Sequence, residues 1–431
     1  MRTKSQKTFL LLQGHPSRFW RRLGLALDRA GHRVLKVNFC VADWVFWRGR
    51  GGGSISEVNY KGQIADWPAW LAEFVANNGV TDILYYADRL PYHIDALAVG
   101  RAHGIDCWAI EFGYLRPDWL TLEPEGMGAH SVFPRDWADI GALAAGEEAP
   151  DMAVHYRHAF AVEAFGEVAF NLLMAFGRPF YRHYFSDKIY WPLVDYLSWL
   201  RELARKPGQN RQARRLEHIL FRDRRSYNLV AMQLQADYQI RASSHYIGFM
   251  EFLREVIISF AENAPYERHL VIKLHPLDNG MEKWEKRCRR LIHRAGLAGK
   301  IHFIKGGDLD RLIAASDGVV TVNSTVGIHA IRADMPTLAL GRAIYDLPGL
   351  THQDGIDSFW RSPARVDADL RDTFLRALAT FQVKGSFFNR AGQNRAIDTM
   401  VARLSQPVAV PQDATGPHTT RDDPGILAQS A

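Results

Sequence analysis

The sequence is poor in cysteine and has no long apolar run. Its three cysteines, Cys40, Cys107 and Cys288, are widely spaced and form no Cys-x-x-Cys pair. This spacing argues against a disulfide framework or a structural zinc site and favours a reducing, cytoplasmic setting. No stretch reaches the roughly 18 uninterrupted apolar residues that a transmembrane helix needs. The apolar run Phe9–Leu12 is too short for a signal-peptide core, so any membrane contact is expected to be peripheral.

Several common catalytic motifs are also missing. The chain has no Gly-x-Gly-x-x-Gly turn, no Walker A sequence, no Gly-x-Ser-x-Gly elbow and no His-Glu-x-x-His pair. These absences argue against a classical dinucleotide enzyme, a P-loop enzyme, a serine hydrolase and a zinc protease. A reaction without a metal ion or cofactor is the better hypothesis.

The composition is that of a soluble globular protein with a basic surplus. Of 431 residues, 47% are hydrophobic and 23% are charged, with a net charge of +6. The length predicts two domains. The charge suits an anionic substrate, a nucleic acid or an acidic membrane surface, and does not choose among them.

Strand and helix patterns alternate in two parts of the chain, which predicts an α/β fold with two Rossmann-type domains. Residues 1–148 form the first domain and 226–384 the second. Between them, residues 149–225 change to long helices rich in aromatic and basic residues, which we interpret as an insert. A C-terminal helix over 385–404 and a disordered tail over 405–431 complete the prediction.

In the second domain, two polar clusters follow apolar, β-branched runs at predicted strand ends. Ligands collect at such ends in an open α/β sheet. Hydroxyls beside a helix start, together with a cation and a histidine, suit phosphate oxygens. The alternative is an ordinary helix cap and a structural histidine. The candidate nucleotide-binding residues are Lys273, His275, Pro276, Asn323, Ser324, Thr325 and Gly327.

In the first domain, Asp88 and Glu111 end two successive predicted strands. Neighbouring strand ends bring such carboxylates close together, as a glycosyl-transfer nucleophile or base requires. The alternative is that Asp88 pairs with Arg89, and Glu111 with Arg116. Further acid follows in Glu123–Gly126, on a predicted loop.

The stretch Arg201–Arg225 carries nine Lys/Arg against three Asp/Glu. With its aromatic neighbours it predicts docking on an anionic leaflet, through Arg211, Arg214 and Arg215. The alternative is a solvated helix face. No nucleic-acid recognition module accompanies the charge, so no nucleic-acid partner is expected.

Several segments together resemble the capsule polysaccharide biosynthesis proteins of Gram-negative bacteria, of the KpsS/LipB type. One departure is His15, where the family pattern predicts proline. The segments that carry the resemblance are Leu12–Gly14, Phe19–Trp20, Gly31–His32, Lys36–Phe39, Glu111–Pro117, Gln233–Asp237, Lys273–Asp278, Val322–Gly327 and Gly341–Leu350.

The resemblance implies a GT-B-like, retaining glycosyltransferase that adds β-Kdo from CMP-Kdo to lysophosphatidylglycerol or a similar anionic lipid. It implies CMP contacts at His275, Pro276, Ser324 and Thr325, and a catalytic acid in the first half, with Glu111 or Asp88 in that role and His275 beside the phosphate. Gln13, Gly14 and Arg116 are the candidate acceptor-binding residues. The protein would lie on the inner face of the inner membrane, in a capsule synthesis and export complex with a second Kdo transferase.

Two alternatives remain open from the sequence. One is a transferase that uses a UDP- or GDP-sugar, which the same fold accommodates. The other is a non-catalytic component of capsule assembly or export that binds the glycolipid.

Overall fold

The computed structural model describes residues 6–49, 55–186, 192–235 and 244–406. The chain divides into two compact units. Unit 1 comprises Met1–Pro134, Ala145–Lys188 and Arg376–His418, and unit 2 comprises Arg135–Ala144, Ile189–Leu375 and Thr419–Ala431. Most of the predicted tail, and the Ala236–Asp237 end of one family segment, lie outside the described residues.

Unit 1 is built on a six-stranded sheet in the order β3-β2-β1-β4-β5-β7, parallel except for β7. A two-stranded antiparallel ribbon, β13-β6, belongs to the same unit. The strands are β1 Thr8–Leu11, β2 Arg33–Asn38, β3 Ser56–Asn59, β4 Asp82–Tyr86, β5 Asp106–Ile110, β6 Trp119–Thr121, β7 Glu123–Pro124 and β13 Gln382–Lys384.

The helices of unit 1 are α1 Phe19–Arg29, α2 Val41–Trp47, α3 Trp67–Asn78, α4 Pro91–His103, α6 Phe160–Phe176 and α14 Arg390–Leu404. Local sequence sets the bounds of α3 and α4. Each has proline in its first turn, where the missing N–H costs nothing, and each ends at a glycine with positive φ, Gly79 at 59° and Gly104 at 66°. β4, which lies between α3 and α4, and β5, which follows α4, are buried over four of their five residues, as strands of a covered parallel sheet are.

Unit 2 contains a five-stranded, fully parallel sheet in the order β10-β9-β8-β11-β12. Its strands are β8 Tyr227–Ala231, β9 His269–Lys273, β10 Ile301–Ile304, β11 Gly318–Thr321 and β12 Thr337–Ala339. Its helices are α5 Trp137–Ala144, α7 Pro192–Arg222, α8 Phe249–Asn263, α9 Trp284–Arg294, α10 Leu309–Ala314, α11 Val326–Arg332, α12 Gly355–Phe359 and the first part of α13 Ala368–Thr380.

The predicted α/β architecture with two Rossmann-type units is therefore confirmed. The residues predicted as an insert, 149–225, are distributed between the units, since α6 belongs to unit 1 and α7 to unit 2. The apolar side of α6 packs on α2, where the Phe46 and Phe170 rings lie 5.7 Å apart. Such contacts assign each helix to the unit whose core it covers.

Over the described ranges, no helix has the length and apolar character needed to cross a bilayer.

Candidate functional site

The carboxyl ends of the unit 2 strands bring the two predicted clusters to one edge. Strand register aligns Thr321 of β11 with Ala231 of β8, and Ala231 with Lys273 of β9. One strand therefore separates the clusters, a distance of about 10 Å at the usual strand spacing. Ligands bind at this edge of an open parallel sheet.

Gln233 lies between the two clusters, just beyond β8. Its amide nitrogen donates to Asn323 Oδ1 at 3.0 Å, and its amide oxygen accepts from the Asn323 backbone N–H at 3.4 Å. This reciprocal pair joins the loops after β8 and β11. Asn323 thus helps to build the edge, while its own side chain stays partly exposed.

The turn after β11 is fixed by short contacts. Ser324 Oγ accepts from the Val326 N–H at 3.2 Å, while the Thr325 hydroxyl does not cap the helix. The buried Tyr345 hydroxyl donates to the Ser324 carbonyl at 2.7 Å. A Cβ at Gly327 would lie 2.3 Å from that hydroxyl, so only glycine lets the ring pack here. Ser324 and Thr325 remain partly exposed.

His275 is partly exposed, and Pro276 is exposed, in the loop after β9. The ring Nδ1 of His275 accepts from the Leu277 N–H at 3.1 Å. An accepting Nδ1 places the proton of a neutral imidazole on Nε2. In that neutral tautomer the ring carries its N–H on Nε2.

Lys273 is almost completely buried, and its ammonium donates to the Gly306 carbonyl. Burial lowers the pKa of Lys273, and the charges of Glu217 and Asp308 oppose that shift. Glu217 of α7 also accepts from the Asp308 N–H at 2.7 Å. Lys273 thus holds the loop after β10 through a buried hydrogen bond. The geometry therefore favours a supporting role for this lysine over direct contact with a ligand.

Asp88 lies at the end of β4 in unit 1 and is completely buried. Its Oδ2 accepts from Arg89 Nε at 3.2 Å and from the Met127 N–H at 3.1 Å. Burial raises its pKa, while Arg89 opposes the shift. The geometry favours the alternative interpretation of Asp88, a structural carboxylate that holds the loop around Met127.

Glu111 follows β5 and is partly exposed. Its backbone is held by β6, because its N–H donates to Thr121 Oγ1 at 2.8 Å and its carbonyl accepts from the Thr121 N–H at 2.8 Å. The turn continues through Gly113, where a Cβ would lie 2.5 Å from Gln382 Oε1. Arg116 is exposed, with its guanidinium 5.2 Å from the centre of the Phe112 ring. Of the two predicted carboxylates, Glu111 is therefore the accessible one.

Glu123 is a carboxylate that the sequence placed on a loop and left without a role. It lies in β7, is completely buried, and accepts a hydrogen bond from Ser131 Oγ. Burial raises its pKa to about 8, and the charges of Asp88 and Glu111 add to the shift. Glu123 therefore carries a proton at neutral pH, next to the carboxylates chosen from the sequence.

Gln13 and Gly14 are packed inside unit 1. Gln13 Nε2 donates to Asp43 Oδ1 at 3.3 Å and to the Tyr184 hydroxyl at 3.2 Å. A Cβ at Gly14 would lie 2.2 Å from the Trp20 ring. The Gln13 side chain thus serves the fold, and contact with an acceptor would have to use the backbone of this turn.

His15, the departure from the family pattern, is buried among aromatic rings. It stacks on Phe387 with ring centres 4.2 Å apart, and Tyr86 and Phe112 meet it edge-on. Burial lowers its pKa to about 3, so the imidazole is neutral near pH 7. A planar, neutral ring is what this stack requires.

The three arginines chosen for membrane docking are all exposed on α7. The opposite face of this helix is buried and carries Glu202, Ala213 and Glu217. Glu202 pairs with Lys305 at 2.9 Å. The carboxylates on one side of the helix therefore bind the loop after β10. The other side exposes Arg211, Arg214 and Arg215.

Sequence reasoning missed four residues that shape these two regions: Gln233, Glu217, Tyr345 and Glu123. Gln233 and Tyr345 fall in family segments, and Gln233 also lies just beyond a strand end, which was a usable signal. Glu217 had none, because it looked like one acid within a basic helix. Its role depends on a loop ninety residues later in the chain.

The sequence of the chain matches a known protein family. Residues 81–388 match the family model described as "Capsule polysaccharide biosynthesis protein". That range contains the strand-end clusters of unit 2 and the carboxylates of unit 1.

The chain belongs to the capsule polysaccharide biosynthesis family.

Two curated members of this family resemble it over most of their length. The capsule polysaccharide export protein KpsS of Escherichia coli is 30% identical over 375 residues, which cover 86% of this chain and 94% of the relative. The capsule polysaccharide modification protein LipB of Neisseria meningitidis serogroup A is 29% identical over 400 residues, covering 90% and 93%. The resemblance inferred from the sequence is confirmed.

Among solved structures, the Thermosulfurimonas dismutans KpsC β-Kdo 2,7 transferase is similar with a TM-score of 0.45 and 15% identity. The match covers 92% of this chain and all of that chain.

Proposed function

We propose that this family member is a retaining glycosyltransferase that transfers β-Kdo from CMP-Kdo to lysophosphatidylglycerol or a similar anionic lipid. The observation that carries the proposal is the edge of the unit 2 sheet. There His275 follows β9, and Asn323, Ser324 and Thr325 follow β11, all partly exposed at one edge of adjacent parallel strands. Gln233 joins the loops after β8 and β11.

The chemistry of that edge suits a donor with one phosphate. His275 Nε2–H and the hydroxyls of Ser324 and Thr325 are donors that phosphate oxygens accept. They would stabilise the negative charge that develops on CMP as it departs. Lys273, held below the surface, contributes positive potential rather than a direct contact.

Glu111 is the proposed nucleophile or base in unit 1. As nucleophile, its carboxylate forms a bond to the anomeric carbon while the carbon–oxygen bond to CMP breaks and CMP leaves with the electron pair. The acceptor oxygen then forms its bond to the anomeric carbon while the bond to Glu111 breaks, which restores the carboxylate, and the hydroxyl proton passes to solvent water. Two displacements retain the anomeric configuration.

The acceptor and the setting are part of the same proposal. Arg116 and the Gln13–Gly14 backbone are the proposed contacts to the acceptor, and the exposed arginines of α7 would meet an anionic cytoplasmic leaflet. A second Kdo transferase and the export machinery of a capsule complex would act on the product. The relatives named for capsule export and modification support this setting.

The test is mass spectrometry of a reaction containing the purified protein, CMP-Kdo and lysophosphatidylglycerol. The product should exceed the acceptor by one or more Kdo residues. His275→Ala and Glu111→Gln should each lower kcat/KM at least about a hundredfold, the usual size of one catalytic contact. Arg294→Ala, at an exposed position on α9, is the matched control and should retain activity.

Wild-type turnover in both site variants would contradict the roles assigned to His275 and Glu111. No transfer from CMP-Kdo, with transfer from a UDP- or GDP-sugar, would identify a different donor. Binding of the glycolipid without turnover of any nucleotide sugar would identify a non-catalytic component of capsule assembly or export.

A further inference from the structure

The segment that follows α6 presents large apolar side chains to solvent. Phe176, Phe180 and Phe185 are 71%, 69% and 48% exposed. An isolated exposed phenylalanine needs no explanation, but three within ten residues concentrate exposed apolar surface in one short segment. We call Phe176–Phe185 the aromatic segment.

Contacts with the rest of unit 1 fix which way this segment faces. Tyr181 is buried, and its hydroxyl donates to Asn59 Oδ1 at 2.9 Å. The Tyr184 ring stacks on Tyr92 with centres 6.0 Å apart, and the Phe185 N–H donates to the Tyr92 hydroxyl at 3.0 Å. The tyrosines therefore point inward and hold the backbone, which leaves the phenylalanines outside.

Close packing at the start of the segment adds to this orientation. A Cβ at Gly177 would lie 2.4 Å from Val41 Cγ2, so the backbone lies directly on α2. The exposed phenylalanines thus sit on an anchored turn. Their exposure is a property of the fold.

The charge of the segment indicates what covers it. Arg178, Arg182 and His183 are exposed between the phenylalanines, and no acidic residue occurs from 176 to 185. Aromatic side chains interleaved with arginine suit the boundary between acyl chains and anionic headgroups.

We propose that the aromatic segment inserts into an anionic phospholipid bilayer, with Phe176, Phe180 and Phe185 among the acyl chains and Arg178 and Arg182 on lipid phosphates. It rests on the proposed function in one respect, that the lipid acceptor is drawn from this bilayer. Tyr184 connects the segment to Gln13, at the turn proposed to meet the acceptor. Membrane insertion thereby joins unit 1 to its lipid substrate.

The test is co-sedimentation of the full-length protein with phosphatidylglycerol–phosphatidylcholine vesicles and with pure phosphatidylcholine vesicles. The wild type should bind the anionic vesicles, more weakly as salt rises. Phe176→Ser/Phe180→Ser/Phe185→Ser should lower the partition coefficient at least about tenfold. Arg178→Glu/Arg182→Glu should do the same on anionic vesicles alone.

Phe165→Ser is the matched control, because Phe165 is 77% exposed on α6 but lies between Glu163 and Glu167. It should bind vesicles as the wild type does. Wild-type binding by the triple variant, or an equal loss in Phe165→Ser, would overturn the proposal. The proposal would also be overturned if the wild type did not bind vesicles but formed a dimer that was lost in the triple variant.

Activity separates this proposal from the transferase assignment. With a short-chain, water-soluble acceptor, the triple variant should transfer Kdo at the wild-type rate. With acceptor embedded in vesicles, its rate should fall at least about tenfold, in parallel with binding. If neither the wild type nor any variant transfers Kdo, the proposed function is rejected. The vesicle measurements would still show whether the aromatic segment inserts into the membrane.

Discussion

At the scale of single residues, the two units differ in whether their candidate site residues are exposed or buried. The partly exposed His275, Ser324 and Thr325 keep donors at the surface of unit 2, where an anion can reach them. Unit 1 instead buries Asp88 and Glu123 completely and leaves Glu111 accessible. A buried carboxylate that lacks enough hydrogen bonds or opposite charge takes up a proton. The free energy of folding that its burial costs therefore depends on pH.

Glu123→Gln tests this cost. The pKa of Glu123 is raised from its ordinary 4.5 to about 8 in the folded protein. The folded state therefore holds a proton that the unfolded state releases above pH 4.5, and stability from this group falls as pH rises from about 4.5 to 8. The uncharged glutamine removes that slope and should raise the free energy of unfolding by roughly 1–3 kcal/mol at pH 8, with little change at pH 4.

Denaturant unfolding of both proteins between pH 4 and 8 measures this difference. The amide oxygen that Glu123→Gln introduces can still accept from Ser131, so the variant retains the hydrogen bond seen in the wild type. Parallel pH profiles for the two proteins would show that Glu123 is already ionised when folded.

At the scale of elements, helix α7 shows what sequence patterns reveal and what they conceal. Its charge excess was visible, and the exposure of Arg211, Arg214 and Arg215 agrees with a basic outer face. Its inner face was not visible, because Glu202 and Glu217 bind loops far along the chain. Helical periodicity identifies a buried face but not the partner that buries it.

Glu217→Ala tests whether α7 supports the nucleotide edge. Glu217 accepts from the Asp308 N–H, and the neighbouring Gly306 carbonyl accepts from Lys273. Removing the carboxylate should loosen the loop after β10 and raise the KM for CMP-Kdo about tenfold, with a smaller change in kcat, since ground-state binding is what is lost. Glu217→Gln, which keeps an acceptor, should recover part of the loss.

Asp223→Asn provides the control for this experiment. Asp223 follows α7 and pairs only with the nearby Arg222 and Arg225 among the ion pairs of the described residues. Its KM should match the wild type. Equal KM values for Glu217→Ala and the wild type would remove Glu217 from the support of the site.

Strand prediction failed where strands are short or depend on distant partners. β3 is a largely exposed edge strand without apolar alternation. β6 and β13 have three residues each and pair across more than 260 positions of sequence. Strands β4, β5, β8 and β9 were recognisable, because each has five residues that include at least three consecutive buried apolar residues.

At the scale of the whole molecule, the sequence revealed the two α/β units and brought their strand-end residues to the correct edges. It did not reveal which edge residues stay accessible. Asp88, Lys273 and Gln13 became buried supports, while Glu111 and His275 remained open. Accessibility depends on loops such as those at Met127 and Gly306 that return over the edge, and a strand-end pattern does not contain them.

Nucleotide binding should stabilise unit 2 by mass action. CMP at a hundred times its dissociation constant adds about 2.7 kcal/mol to the free energy of unfolding of the unit that binds it, enough to raise the Tm of that unit by about 5–11 °C. UDP and GDP at the same concentration should give smaller shifts, and His275→Ala should reduce the CMP shift. A scan of Tm against each nucleotide measures this preference.

Equal shifts with all three nucleotides would mean that the site recognises phosphate without selecting cytosine. No shift with any of them would contradict nucleotide binding at the unit 2 edge.

The return of the chain to unit 1 has a consequence for its biosynthesis. β13, the turn after it and α14 supply Val383, Phe387 and Met400 in that order to the core that begins with Phe9 and Leu11. At ordinary translation speeds, the ribosome needs roughly 10 to 40 seconds to go from the middle of the chain to these residues. Until then, the unit 1 core of the nascent chain lacks these residues and exposes apolar side chains. This interval is when we expect chaperones to bind the nascent chain.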